Sequence, residues 1–528
     1  PSILRVDDTY YIAVSTFEWY PGVEIYKSKD LGNWELVPSP LSEKRLLDMS
    51  GNEASCGIWA PCLSYDKGIF YLIYTNVQNR NSGIWPWKDT PNFLTTATSI
   101  EGPWSDPVFL NCSGFDPSMF HDDDGKHYLV NMEWDYRKTG GYQFSGILLQ
   151  EYSASEKRLV GETRKIFPGT ALQLVEAPHL YKRNGWYYLM TAEGGTTFEH
   201  AATLARSRKL EGPYEVHPAN PLITSYNWPN HPIQRAGHAS WCDTPDGSRW
   251  YLAYLCGRPL PGTRNCPLGR ETGLAELEWR DDWPYIKYEA GAEGNNDLYG
   301  ASVPNWPPLF VEGPVGTGTA TPVSKTKHYT FDGKTVDGDF KTLRIPQEAE
   351  IYSLTARPGF LRLRGGQSPI SPFQQTLLAR RQEDFSIDVE TYLEFDPKIF
   401  QEMAGLCWRY DEKKQYLLAL SYDEVKGKCL AVHCMKGNEY VRTDDTPVGD
   451  VKGIWLGLSV RGRNGFFRYS LDGKNWNTLR PMMDAAIVSD EYFRDGFTGA
   501  FVGMFCVDTA RYAATADFKY FDYKVLNS

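Results

Sequence analysis

The sequence has no run of eighteen apolar residues, so it offers no candidate for a helix that crosses a membrane. It also lacks any cluster of lysine and arginine: 55 basic side chains stand against 66 acidic ones, a formal charge of -11. Neither a phosphate backbone nor an anionic lipid surface fits that balance, so nucleic acid and membrane are not expected as partners and a neutral or cationic ligand is favoured. The ten cysteines are scattered without a CxxC pair or the Cys/His spacing of a zinc finger. They read as buried free thiols, not as a disulfide scaffold. Asn111-Cys112-Ser113 is a single glycosylation sequon, too little to choose between a cytoplasmic and a secreted protein. Long helical periods are missing as well, which points to an all-β chain.

What the sequence does have is rings and repeats. Its 17 Trp, 33 Tyr and 25 Phe fill cores and also offer flat faces on which sugars stack. A Tyr followed by an aliphatic residue recurs as Tyr11-Ile12, Tyr71-Leu72, Tyr128-Leu129, Tyr188-Leu189 and Tyr251-Leu252, at steps of 60, 57, 60 and 63 residues. Each pair ends a strand, turn, strand passage such as DPSMFHDDDGKHYLVNM or EAPHLYKRNGWYYLMTA. Motifs such as TSIEGPW and SRKLEGPY then open a further strand, giving about four strands per unit. Five such units predict a five-bladed β-propeller, in which radial packing buries both faces of every blade. The residues opening the repeats, Trp59, Asp116, Glu176 and His238, should then face one another across the central channel. Two carboxylates, an indole and an imidazole suit a polar pocket better than a packed core.

Residues 311–323, VEGPVGTGTATPV, read as a linker between a propeller over 1–310 and a second domain over 324–528. Segments such as FSIDVETYLEF, IWLGLSVRG and FTGAFVGMF in that second domain predict a β-sandwich of jelly-roll type.

Paired carboxylates among aromatic rings are what glycoside hydrolysis requires, one acid protonated for the leaving oxygen and one base ionised for water. Glu176 lies in LVEAPHLY, where apolar neighbours and a nearby Asp116 both disfavour its charge, so it is the better acid.

From PSI, STFEW and IWAP through GFDPSMFHD, EAPHLY, TAEGGTT, AGHAS and CPLGRE to FTGAFVG, the chain resembles two-domain β-xylosidases of glycoside hydrolase family 43. The resemblance implies inverting, exo-acting release of D-xylose from the non-reducing ends of β-1,4-xylo-oligosaccharides, often with α-L-arabinofuranosidase activity, and no required cofactor. It places the general acid on Glu176 and, on Asp116, a carboxylate that tunes the acid and orients the substrate. The general base is an Asp expected immediately before Pro1; Asn or Gly there would leave a carbohydrate-binding propeller without activity. Phe17, Trp59 and Trp134 resemble the family's aromatic wall, with Thr196 and Arg270 as further sugar contacts, and Arg270 is expected to keep Asp116 ionised. His238 is expected as a hydrogen-bonded channel histidine, with calcium ligation as its alternative role. Phe497 resembles an aromatic inserted from the sandwich into the propeller mouth, its alternative being a sandwich core residue. A retaining fructan hydrolase shares this architecture, but its Arg-Asp-Pro and Glu-Cys signatures are absent. Association into homo-oligomers is left open.

Overall fold

The computed structural model describes residues 1–80, 85–138, 143–288, 304–309, 311–314, 325–346 and 351–526, and every regular element among them is a β-strand. Five antiparallel sheets built from consecutive strands come first, one for each repeat. The first blade uses Ser2–Val6, Thr9–Ser15, Val23–Ser28 and Glu35–Leu36; the third uses Ser118–His121, His127–Trp134, Phe144–Ser153 and Arg158–Phe167. All five Tyr-aliphatic pairs fall on the second strand of their blade. The reason is packing: Ile12, Leu72, Leu129, Leu189 and Leu252 are all buried, each between its own blade and a neighbour.

The segment from Lys327 onward supplies nine strands to one sheet and eight to a second stacked on it, over one large apolar core that includes Leu361, Leu406, Trp408, Leu456 and Phe521. Residues 315–323 of the expected linker lie outside the described residues. The two domains are joined by strand pairing as well as by chain. Trp19–Tyr20, between the second and third strands of the first blade, pairs with Leu343 and Thr342 and becomes the outermost strand of a sandwich sheet. Trp19 is completely buried there and stacks on Phe501 at 3.7 Å.

Nine cysteines are buried free thiols as expected, but Cys112 is exposed. It sits at the end of an outer blade strand, and the sequon's Asn111 is tied down beside it, its side-chain oxygen accepting from Asn92 at 2.8 Å.

Candidate active site

Three blades open on an X-Pro step, Ala60-Pro61, Asp116-Pro117 and Ala177-Pro178, and the residue before each proline is left-handed, at φ 42°, 54° and 52°. Proline brings no N–H to the ladder, and the pairing register breaks between Trp59 and Cys62 and between Glu176 and His179. The fifth blade does the same without proline, with His238 at φ 40° between Gly237 and Ala239. Such kinks re-aim side chains, and a left-handed non-glycine residue costs about 1–3 kcal/mol, a cost the surrounding sheets must offset. Here they turn Trp59, Asp116, Glu176 and His238 into one cavity of about 600 Å³, which continues along the domain boundary to Lys341 and Arg380.

The cavity also takes in Pro1, Phe17, Phe115, Thr196, Arg270 and Phe497, so all but one of the expected site residues converge on it. Both carboxyls are at least nine-tenths buried. Burial, and after it the neighbouring Asp116, hold the Glu176 carboxyl well above the usual carboxylate range against the opposing pull of Lys88 and Arg270. Burial raises Asp116 too, opposed first by the backbone of Ala177 and then by Lys88. Glu176 is therefore the member that keeps its proton.

Lys88 is the functional residue that the sequence concealed, because it belongs to no repeat-opening position. Its ammonium lies over Trp134, Phe115 and Trp59, at 4.4, 4.8 and 5.0 Å from the ring centroids. Burial, helped by Arg80, brings it down to about 8.

Arg270 differs from expectation in its partner. Its Nε lies 3.5 Å from Asp490 of the sandwich, and its influence falls on Glu176, while Lys88 is the cation acting on Asp116. None of its guanidinium nitrogens has a hydrogen-bond partner among the described residues, although all are buried. Asp490 accepts from Arg235 at 2.7 Å and from the Tyr410 hydroxyl at 2.7 Å, so one carboxylate of the second domain steadies two arginines of the first.

Phe497 does come from a sandwich loop into the propeller, with its ring 5.5 Å from Phe17 and 5.3 Å from Trp59. It is not in the sandwich core. What allows the insertion is a crossing of two backbones at Gly269 and Gly499, both at positive φ; a Cβ on Gly269 would lie 2.3 Å from the Gly499 nitrogen. The Gly of CPLGRE and the Gly of FTGAFVG are thus two halves of one contact.

Trp134 is the exception on the expected wall. It stands behind the cavity, its ring 5.9 Å from Phe115 and its indole N–H donating to Pro86 at 2.7 Å. His238 makes no hydrogen bond to a described protein group; its ring meets His179 edge-on at 6.3 Å, because the bulge that turns it inward takes it away from ladder partners. Among the described residues the one cluster of three metal-ligand side chains is Asp66 and His121, which end the strands Gly57–Asp66 and Ser118–His121, with His127, which opens the next strand, and His238 has no part in it.

Residues 1–284 match the glycosyl hydrolases family 43 model, and residues 328–524 match the β-xylosidase C-terminal concanavalin A-like domain. The chain belongs to glycoside hydrolase family 43. Across 99% of its length it is 46% identical to the xylosidase/arabinosidase 43B of Humicola insolens, covering 95% of that protein. It is 44% identical to a β-xylosidase of Bacillus subtilis, over 99% of this chain and 97% of that one. The crystal structure of a xylan β-1,4-xylosidase from Bacillus halodurans superposes with a TM-score of 0.92 at 46% identity, covering 99% of this chain and 98% of the other. The family 43 architecture of propeller plus sandwich is the one seen here.

Proposed function

We propose that this family 43 enzyme is an exo-acting, inverting β-xylosidase that removes D-xylose from the non-reducing ends of β-1,4-xylo-oligosaccharides, with α-L-arabinofuranosidase as a side activity. The observation that carries the reading is the buried pair Asp116 and Glu176, both with raised affinity for a proton, in a cavity walled by Phe17, Trp59 and Phe497. The names of the similar proteins, xylosidases and a xylosidase/arabinosidase, support the same substrate class.

In this mechanism Glu176 gives its proton to the glycosidic oxygen as the bond to the anomeric carbon breaks. The base in this reading is the Asp expected before Pro1, Pro1 itself lining the cavity, and it takes a proton from the water that attacks the opposite face of the sugar. Asp116 raises the acid's proton affinity and orients the sugar. The unpaired N–H groups of Arg270 fit sugar hydroxyls, which would satisfy donors that are otherwise buried without partners. Neither proton transfer needs a metal or an organic cofactor. Inversion requires the two carboxyls to stand about 6.5–9.5 Å apart so that water fits between base and sugar.

The test is hydrolysis of xylobiose and of the nitrophenyl β-xyloside and α-L-arabinofuranoside by protein carrying an Asp before Pro1, the first-formed xylose being observed by proton NMR. α-Xylose is expected first. Initial β-xylose overturns inversion, and xylose binding without turnover of any substrate leaves a carbohydrate-binding propeller.

Phe497 in this reading closes the pocket behind one sugar, which makes the enzyme cut single xyloses from chain ends. Phe497→Ala is expected to raise KM for xylobiose several-fold, since one ring's contact is worth about 1–3 kcal/mol, with little change in melting temperature. A large fall in Tm with KM unchanged would show instead that the ring serves packing.

A further inference from the structure

Three large aromatic side chains stand exposed together on the propeller surface. Trp85, Trp87 and Tyr136 are 63%, 57% and 54% exposed, and their rings are in file, with Trp85 and Trp87 centroids 5.9 Å apart and Trp87 and Tyr136 centroids 6.4 Å apart. Among the described residues no other exposed tryptophan occurs. Leaving two indoles in water forgoes their burial energy, and contiguous exposed rings of this kind mark a binding surface.

The segment that carries them is also part of the pocket's supporting wall. Pro86, between the two tryptophans, accepts the indole N–H of Trp134, and Lys88, next in the chain, reaches inward over Trp59 and Phe115. The inner side of this short segment thus bears on the two carboxyls while its outer side presents the rings. With Phe497 covering the pocket from the sandwich side, an oligosaccharide held by its terminal xylose must let the remainder of its chain leave over the rim.

We propose that Trp85, Trp87 and Tyr136 form a stacking platform for the leaving-group portion of xylo-oligosaccharides longer than two residues. The proposal rests on the xylosidase reading and adds to it a binding site outside the pocket. Three features favour this occupant. The platform is continuous with the pocket wall; its rings carry no charge, which matches a neutral pyranose chain; and Trp and Tyr hold large flat faces in place at low cost in side-chain entropy. A xylose ring laid on such a face buries its C–H groups and leaves its hydroxyls in water.

The test compares wild type with the Trp85→Ala/Trp87→Ala double variant on xylobiose and xylotetraose, and measures xylotetraose binding calorimetrically in a Glu176→Gln background with and without the double substitution. The ratio of kcat/KM for xylotetraose to that for xylobiose is expected to fall roughly tenfold, through KM, the size of loss that follows from about 1.4 kcal/mol of stacking contact. Xylotetraose affinity in the Glu176→Gln background is expected to fall by a similar factor, with Tm held within about 2 °C as at other exposed sites. An unchanged ratio with unchanged affinity overturns the platform. So does a parallel loss on both substrates, or a shift from dimer to monomer in sedimentation without a change in the ratio, which would assign the rings to a second copy of the chain. Should wild type turn over neither substrate, the xylosidase reading fails, and the calorimetric arm still decides whether the platform holds the chain.

Discussion

Glu176→Gln is expected to lower kcat/KM on xylobiose by roughly 10²–10⁴-fold, the usual range for loss of a general acid, while an aryl xyloside with a good leaving group loses far less. Glutamine keeps the shape of the side chain and removes its transferable proton. A xylose leaving group needs that proton; a nitrophenolate leaves without it. Equal losses on the two substrates would sink the assignment. The wild-type pH profile carries the same signature. The acid must be protonated to act, so activity on xylobiose falls as pH rises through the elevated pKa of Glu176, and that limb should be missing from the variant's profile on the aryl substrate. Stability moves in the same sense. Above the ordinary carboxylate value the folded state binds more protons at this site than the unfolded chain does, so wild-type stability declines as pH rises toward the folded pKa. Glu176→Gln removes that decline, and its melting temperature should exceed that of wild type at alkaline pH.

The second large effect is expected far from the reacting atoms. Asp490→Ala strips the carboxylate from Arg235 and from the Tyr410 hydroxyl in a place with no access to solvent, where Arg235 and Asp490 are both fully buried. Removing one partner of a buried ion pair costs about 3–5 kcal/mol, because the remaining charge is left desolvated. Glu491, 3.0 Å from the same guanidinium, offsets part of that and places the loss toward the lower end. A drop of several degrees in Tm is expected, together with a raised KM for xylobiose as Arg270 loses the Asp490 carboxylate 3.5 Å from its Nε. Asp490→Asn, which can still accept from Tyr410, should lose less on both counts. An Asp490→Ala protein with wild-type Tm and KM would mean that Arg235 finds compensation in Glu491 alone.

The propeller was legible in the sequence because its signal is repeated five times: a Tyr-aliphatic pair on each second strand leaves little freedom in where the blades begin. Trp59, Asp116, Glu176 and His238 followed from that register, since equivalent repeat positions must share the channel. Long-range partners were not legible. Lys88 lies in a connection between strands, and nothing local distinguishes it from a solvated lysine. Asp490 meets Arg235 across 255 residues of chain, and such a pair leaves no spacing to read. The same limit explains Arg270, whose expected partner was chosen from residues already in view and whose actual neighbour was not among them. Trp134 is placed on the wall by resemblance to the family; whether it faces the cavity or backs Phe115 is decided by packing between blades. The left-handed turns before Pro61, Pro117 and Pro178 were visible only as Pro-containing motifs, yet they are what aims the site inward.

The short strand Trp19–Tyr20 bears on how the two halves of the molecule depend on each other. By pairing with Thr342 and Leu343 it covers the open hydrogen-bonding edge of the eight strands that the second domain supplies to this sheet. A sandwich produced without its propeller would expose that edge, and beside it the apolar face of Phe501 that Trp19 otherwise covers. The propeller therefore acts toward its neighbour as a built-in guard against edge-to-edge aggregation.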